Sequence, residues 1–259
     1  MRLAAVTVAG AALFLWPFTG LGGPGLAAAA AVSSGCVLAL LAVETMSRRL
    51  DSRGLALIAA IAAVDSALRL ALVSGIGGFS PIFLLVLCAG YAMGAEFGFV
   101  CGATALLVSA LVTAGVGPWL PYEMIATGWV GAAAGLAGAH RRGRTPQRRD
   151  VLLLAVVGVA CGFAYGAVMD IWDWTFFRGA ADVGYLPGLG AAATASRFGH
   201  FYLATSLVYD GFRAAGNALL VLLLGAPVLG ALVRLQRRHH LVIEDSPALP
   251  GAAPAAQPG

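Results

Sequence analysis

Residues 140–170 read HRRGRTPQRRDVLLLAVVGVACGFAYGAVMD, and this stretch decides the fold. Arginines at 141, 142, 144, 148 and 149 stand before an uncharged run from Val151 to Met169, which Asp170 closes. At about 1.5 Å per residue, a helix over that run covers roughly the 30 Å of a bilayer's hydrocarbon. Arginines clustered before a span-length apolar run mark a crossing that starts in the cytoplasm. The same alternation governs the whole chain. It has no lysine, and its 16 basic residues are all arginine. Most of them fall in four groups: Arg2; Arg48, Arg49 and Arg53; the group quoted above; and Arg234, Arg237 and Arg238.

Composition agrees. Hydrophobic residues are 60% of the 259 and charged residues 11%, against roughly 25% charged in soluble domains. A soluble core of this size needs a polar surface that the chain cannot supply, so the lipid bilayer is its expected solvent. The formal net charge of +4 does not indicate nucleic acid, because the arginines lie where lipid headgroups and the positive-inside rule place them. Cys36, Cys88, Cys101 and Cys161 sit in apolar runs without C-x-x-C spacing. They read as small buried hydrophobes, with no disulfide framework and no metal site. A P-loop needs lysine, so the chain is no ATPase. It also lacks H-E-x-x-H, G-x-S-x-G and a strand-flanked G-x-G-x-x-G, and its halves show no inverted repeat of the transporter kind.

The expected fold class is all-α, a polytopic transmembrane bundle of about eight spans. Candidates are 3–21, 26–46, 55–76, 121–139, 151–177 and 200–235, with the first turns of the last outside the hydrocarbon. The run 81–114 is too long for one helix, at about 50 Å, and reads as two compact helices meeting near 94–97. With Arg2 inside and eight crossings, the clusters at 48–53, 141–149 and 234–238 all fall in the cytoplasm. Both termini are then cytoplasmic. The outer links carry only Arg178 and Arg197. A cleaved signal peptide ending near 27–31 is the rival at the N-terminus, although cleavage there leaves the second span too short to cross. The tail 241–259, rich in Ala and Pro, is expected to be disordered.

Small residues recur at every fourth position. Ala59, Ala63, Ala67 and Ala71 form one ladder; Gly90, Gly94, Gly98 and Gly102 another; Gly158, Gly162 and Gly166 a third. Such faces let helix backbones approach where lipid gives no hydrophobic drive. Packing within the chain accounts for the glycine ladders, while the alanine ladder fits internal packing or docking onto a second membrane protein.

Ionisable residues inside a membrane cost about 2.5–3.5 kcal/mol on insertion scales and mark function. Counting along the spans places Asp170, Trp172, Asp173 and Trp174 at the outer end of the seventh, and Asp210, Arg213 and Asn217 near that of the eighth. Tyr209 adjoins them, and Trp119 and Glu123 sit in the outer link before the sixth. Each has a plainer explanation. Asp65 and Arg69, or Asp210 and Arg213, neutralise each other along one helix face. Trp119, Trp172 and Trp174 form an interfacial belt, and Tyr165 and Tyr209 belong either to that belt or to a pocket. His200 and Ser206 as a catalytic couple is the weakest alternative. A belt, however, does not require acids, an arginine and an amide at one depth, and a cleft with a few placed polar groups is the usual small-molecule site.

The stretch 55–136 resembles the substrate-binding subunits (S components) of energy-coupling factor transporters. The likeness is carried by the alanine-stepped helix, the Gly-rich link 75–80, the laddered pair around Ala89–Gly98, and Gly117-Pro118-Trp119-Leu120-Pro121-Tyr122-Glu123-Met124 running into Gly128-Trp129-Val130-Gly131. The Gly-Pro-Trp-x-Pro-x-x-Met element is similar to S components of actinobacterial type, including those grouped near cobalamin transport. Where that pattern commonly carries Gln, this chain has Glu123. The resemblance implies a six-helix substrate-binding core in 51–240 and no catalytic activity; the two N-terminal helices expected in 1–50 lie outside the family's usual core. It implies a vitamin or related micronutrient, cobalamin-like compounds among them, captured from outside. It also implies a membrane coupling subunit docked on Ala59, Ala63 and Ala67, and two cytosolic ATPases that consume the ATP, with no cofactor on this chain. The ligand would meet Trp119, Glu123, Asp170, Trp172, Asp173, Trp174, Tyr209, Asp210, Arg213 and Asn217. The alternatives are an intramembrane enzyme acting on lipid or peptide at the outer leaflet, and a non-catalytic membrane adaptor.

Overall fold

The computed structural model describes residues 2–18, 31, 35, 52–71, 82–176 and 183–244. The span expected at 26–46, Arg48, Arg49, the link 75–80, Arg178 and residues 245–259 lie outside the described residues. The described chain is helical, with no strand among the described residues. Its helices are α1 (Arg2–Leu15, followed by a 3-10 turn at Trp16–Phe18), α2 (Ser52–Ala71), α3 (Ile82–Met93), α4 (Ala95–Val112), α5 (Leu120–Ala137), α6 (Arg148–Phe176), α7 (Ala191–Thr205) and α8 (Leu207–Glu244). By length and composition, three of the described helices can cross a membrane alone: α4, α6 over Arg148–Thr175, and α8 over Leu207–Arg237. The apolar stretches Leu3–Phe18 and Phe83–Met93 are shorter, and α2 carries Arg53, Asp65 and Arg69.

Polarity is distributed as lipid demands. Val156 and Leu223 are 65% and 64% exposed, whereas Asp65, Asp210 and Asn217 are 0–2% exposed; a water-soluble protein reverses this order.

The run 82–112 breaks where expected, at Gly94. Its φ of 113° is open to glycine and strained for any residue with a Cβ. The junction keeps its hydrogen bonds, with Gly94 N donating to Gly90 O at 2.7 Å and Gly98 N to Gly94 O at 2.8 Å. Residues 191–205 depart from expectation: most of them were assigned to an outer link, yet they form α7. Thr205 Oγ1 donates to Phe201 O at 2.7 Å, and a hydroxyl competing for a helix carbonyl favours a bend. The chain turns at Ser206 before α8 begins. At its other end α8 runs through Glu244, four residues into the segment expected to be disordered.

Backbone contact between glycines holds the centre. Gly90 of α3, Gly98 of α4 and Gly131 of α5 meet with nothing between them: a Cβ on Gly98 would lie 2.6 Å from the Gly131 carbonyl carbon and 2.8 Å from Gly90 Cα. One turn on, a Cβ on Gly102 would lie 2.9 Å from the Thr127 carbonyl carbon. The third ladder joins α6 to α8, where a Cβ on Gly162 would lie 2.7 Å from Ala214 Cα. Both glycine ladders therefore pack within this chain. The alanine ladder does not, since Ala59, Ala63 and Ala67 are exposed while Ile58, Ile61, Ala62 and Asp65 face inward.

At the arginine-rich end, Asp150 joins three segments. It accepts from Arg141 Nε and Nη2 at 3.0 and 3.1 Å, from Tyr91 Oη at 2.9 Å, and from the Gln147 backbone N at 2.7 Å.

Because overpacking a closed contact costs about 1–3 kcal/mol, Gly131→Val should lower the thermal midpoint of the detergent-solubilised protein. Gly199→Ala, with open space around its Cβ, should not. Equal midpoints for the two variants would remove the glycine contact from the fold's determinants.

Candidate functional site

Away from the arginine-rich end, five helices bring polar side chains together. The C-terminal part of α6 contributes Tyr165, Asp170 and Asp173, and the first turns of α8 contribute Asp210 and Arg213. The start of α5 adds Glu123 and Thr127, α2 adds Arg69, and the end of α7 adds Tyr202. Glu123 lies within electrostatic reach of Arg69, Arg213 and Asp173. Asp170 adjoins Ser206, Asp210, Asp173 and Arg213.

Asp210 is the hub. Its Oδ2 accepts from Tyr202 Oη at 2.9 Å and its Oδ1 pairs with Arg213 Nη1. The carboxylate lies flat on the bare backbone of Gly166, where a Cβ would overlap both of its oxygens. The third ladder is thus also a seat for an acid. The Arg213 guanidinium stands 5.2 Å over the Tyr165 ring, a cation–π arrangement that holds it without a second acid. Tyr165 in turn packs edge-on against Phe83, centroids 5.0 Å apart.

Two buried polar atoms in this cluster have no hydrogen-bond partner among the described residues. One is Asp170 Oδ2. The other is the hydroxyl of Thr127, which adjoins Tyr165. A buried orphan costs about 1–3 kcal/mol, and it calls for an explanation such as an absent ligand or water.

Of the residues expected to meet a ligand, Glu123, Asp170, Asp210 and Arg213 converge, with the exposed Asp173 beside them. Trp172 is buried next to them, its ring 5.7 Å from that of Tyr122. Others go elsewhere. Trp119 is 40% exposed, and its indole donates back to Gly115 O at 3.2 Å. Trp174 belongs to an aromatic group with Phe18, Tyr185 and Phe198, its Nε1 donating to Val183 O at 2.7 Å. Tyr209 is 56% exposed. Asn217 donates to Gly158 O at 2.9 Å and staples α8 to α6.

The two simple ion pairs fare differently. Asp210 and Arg213 do pair. Asp65 and Arg69 share no hydrogen bond: Arg69 Nη1 reaches Ser109 Oγ on α4 at 3.2 Å, and both Asp65 oxygens lack a partner. His200 is exposed on α7, while the Ser206 hydroxyl meets Thr205 Oγ1 at 3.0 Å.

Tyr165, open as belt or pocket, joins the cluster, and so do Arg69, Thr127 and Tyr202, which the expected ligand contacts did not include. Signals existed for two of them. Arg69 is an arginine inside a span and outside every cluster, and Thr127 follows Glu123 by one helical turn.

The family model for the ECF transporter substrate-specific component matches residues 54–225. The chain belongs to this family. The match begins in α2 and ends within α8, so it contains every residue of the cluster. Neither a curated protein nor a solved structure matches the chain. S components are membrane subunits that bind a transporter's substrate and are not enzymes; they work with a transmembrane coupling subunit and ATPases.

A double-mutant cycle checks the hub. Asp210→Asn and Arg213→Gln should show a coupling of about 0.5–3 kcal/mol in denaturant unfolding. Simple additivity would mean that the pair contributes nothing.

Proposed function

We propose that this S component captures a vitamin or related micronutrient from the extracytoplasmic side, using the polar cluster at the end of the bundle remote from the arginine cluster 141–149. One observation carries the proposal. Acids and arginines from α2, α5, α6 and α8 converge around the unpartnered Asp170 Oδ2 and Thr127 hydroxyl. Helix packing alone gives no reason to spend four acids and two arginines at one depth in a membrane.

The roles follow from placement. Arg213, held by Asp210 and Tyr165, presents donors to a ligand's acceptor edge. Glu123 and Asp170 accept from its donors, Asp173 stands at the rim, and Trp172 is the nearest indole. Acids outnumber arginines here, which favours a ligand with a cationic or donor-rich edge. Cobalamin-like compounds qualify through their amides.

The positive-inside rule sets the membrane orientation, with both termini and the cluster 141–149 in the cytoplasm. The exposed face of Ala59, Ala63 and Ala67 receives the coupling subunit, because small side chains permit close helix contact in lipid. Two cytosolic ATPases drive the release inward, and this chain needs no cofactor of its own.

Small molecules co-purifying with the solubilised protein should include one micronutrient, identifiable by mass spectrometry. Arg213→Ala should weaken its binding about 10–100-fold, the equivalent of a charged hydrogen bond; unchanged affinity removes Arg213 from the site. Ala63→Trp should abolish uptake by cells carrying the whole transporter while leaving binding by the purified subunit intact. Normal uptake by that variant would place the coupling subunit on another face.

A further inference from the structure

The contact between α6 and α8 changes character along its length. Over Gly158, Gly162 and Gly166, α6 presents bare backbone to α8. Towards the arginine-rich end the first turns of α6 have no glycine. A groove of about 510 Å³ lies there, lined by residues of both helices. Its wall is apolar, formed by Leu152, Leu222 and Ala226, and its mouth carries Thr145, Arg148 and Gly230. Leu152 and Leu222 are 50% and 49% exposed, so the wall is continuous with the lipid-facing surface.

The mouth is positive and carries no free acid among the described residues. Arg148 lines it, and Arg234 Nη1 lies over Gly230, 3.3 Å from where a Cβ would stand. Asp150, two residues on from Arg148, is engaged by Arg141, Tyr91 and the Gln147 amide. Arg237 closes the end of the groove, donating to Gly143 O at 2.9 Å and Thr145 Oγ1 at 3.0 Å. An apolar channel open to hydrocarbon, ending at two arginines at headgroup level, has the shape and charge of an acyl chain joined to a phosphate.

We propose that this groove is a binding site for one anionic phospholipid of the leaflet at the arginine-rich end. The phosphate sits between Arg148 and Arg234, and one acyl chain lies along Leu152, Leu222 and Ala226. The hydrocarbon adds little affinity, because the competing state is also lipid. Selectivity comes from the arginines, which attract anionic headgroups near a membrane surface and together correspond to roughly a 10–30-fold preference over a zwitterionic lipid. The site is independent of the micronutrient site at the opposite end.

Native mass spectrometry of the full-length protein, offered equal amounts of phosphatidylglycerol and phosphatidylcholine with identical acyl chains, tests this. The wild type should retain one phosphatidylglycerol in roughly 10–30-fold preference. The Arg148→Gln/Arg234→Gln variant should lose the preference. The Arg144→Gln/Arg149→Gln variant, with the same change in net charge at residues that neither line the groove nor lie over Gly230, should keep it. Circular dichroism confirms that both variants remain helical. Equal retention of the two lipids by the wild type overturns the proposal. So does equal loss in both double variants, which would mean diffuse surface charge, and so does displacement of the lipid by millimolar inorganic phosphate, which would mean a free-anion site.

Discussion

Gly90, Gly98 and Gly131 place three helix backbones in direct contact, and the rest of the bundle is arranged around that contact. In water, burial of apolar surface would draw α3, α4 and α5 together. In lipid that drive is absent, and association depends on close van der Waals contact and interhelical polar bonds. Side chains at these positions would force the backbones apart and leave the loosely packed interface that lipid penetrates. The contact also fixes the axial register of α5 against α3 and α4. That register carries Glu123 and Thr127 to the level of Tyr165, and Gly138 to the level of Tyr91 at the opposite end.

The same economy of side chains serves the polar cluster. Asp210 is 2% exposed, and burying a carboxylate is costly unless its lone pairs are met. Tyr202 and Arg213 meet them, and Gly166 supplies the room. Asp170 adds a second acid within reach of the first. The cluster therefore holds more acceptor capacity than its own donors fill. That imbalance separates it from Asp150, whose carboxylate is occupied from three directions and whose role is structural. Similar residues at the two ends of one helix serve different purposes because their partners differ.

Elements governed by local rules were legible in the sequence. Apolar run length and arginine position gave an all-helical membrane bundle. The break at 94 followed from a run too long for one span and too short for two. The Gly-Pro-Trp segment placed the chain near the family whose model it matches. Contacts fixed by rotamer and by helix rotation were not legible. Arg69 stands one turn from Asp65, yet its side chain hydrogen-bonds Ser109 on the neighbouring helix. Trp119 occupies a conspicuous motif but folds over its own turn, with Gly117 beneath the ring. Depth counting put Asn217 with the site; the rotation of α8 turns it towards Gly158 instead. Depth is a one-dimensional coordinate, and a site also needs azimuth, which the apolar periodicity of helices exposed to lipid on one side encodes weakly.

The helix outside the family match is not a bystander in the packing. Gly10 of α1 lies against Ile125 and Trp129 of α5, where a Cβ would stand 2.9 Å from the Trp129 ring. Phe14 meets Tyr122 edge-on at 5.1 Å, and Tyr122 meets Trp172 at 5.7 Å. Rings thus run without interruption from α1 through the residue before Glu123 to the residue before Asp173. The turn after α1 extends this, with Phe18 tilted against Trp174 at 6.2 Å and Tyr185 Oη donating to Pro17 O at 3.3 Å. Two of the segments that supply acids to the cluster, the start of α5 and the end of α6, are therefore braced from the same side by residues 10–18. Aromatic rings lose little conformational freedom on burial and resist small displacements. The N-terminal helix consequently limits how far α5 and α6 can separate at the mouth of the cluster, a constraint that residues 54–225 of the family match do not contain by themselves.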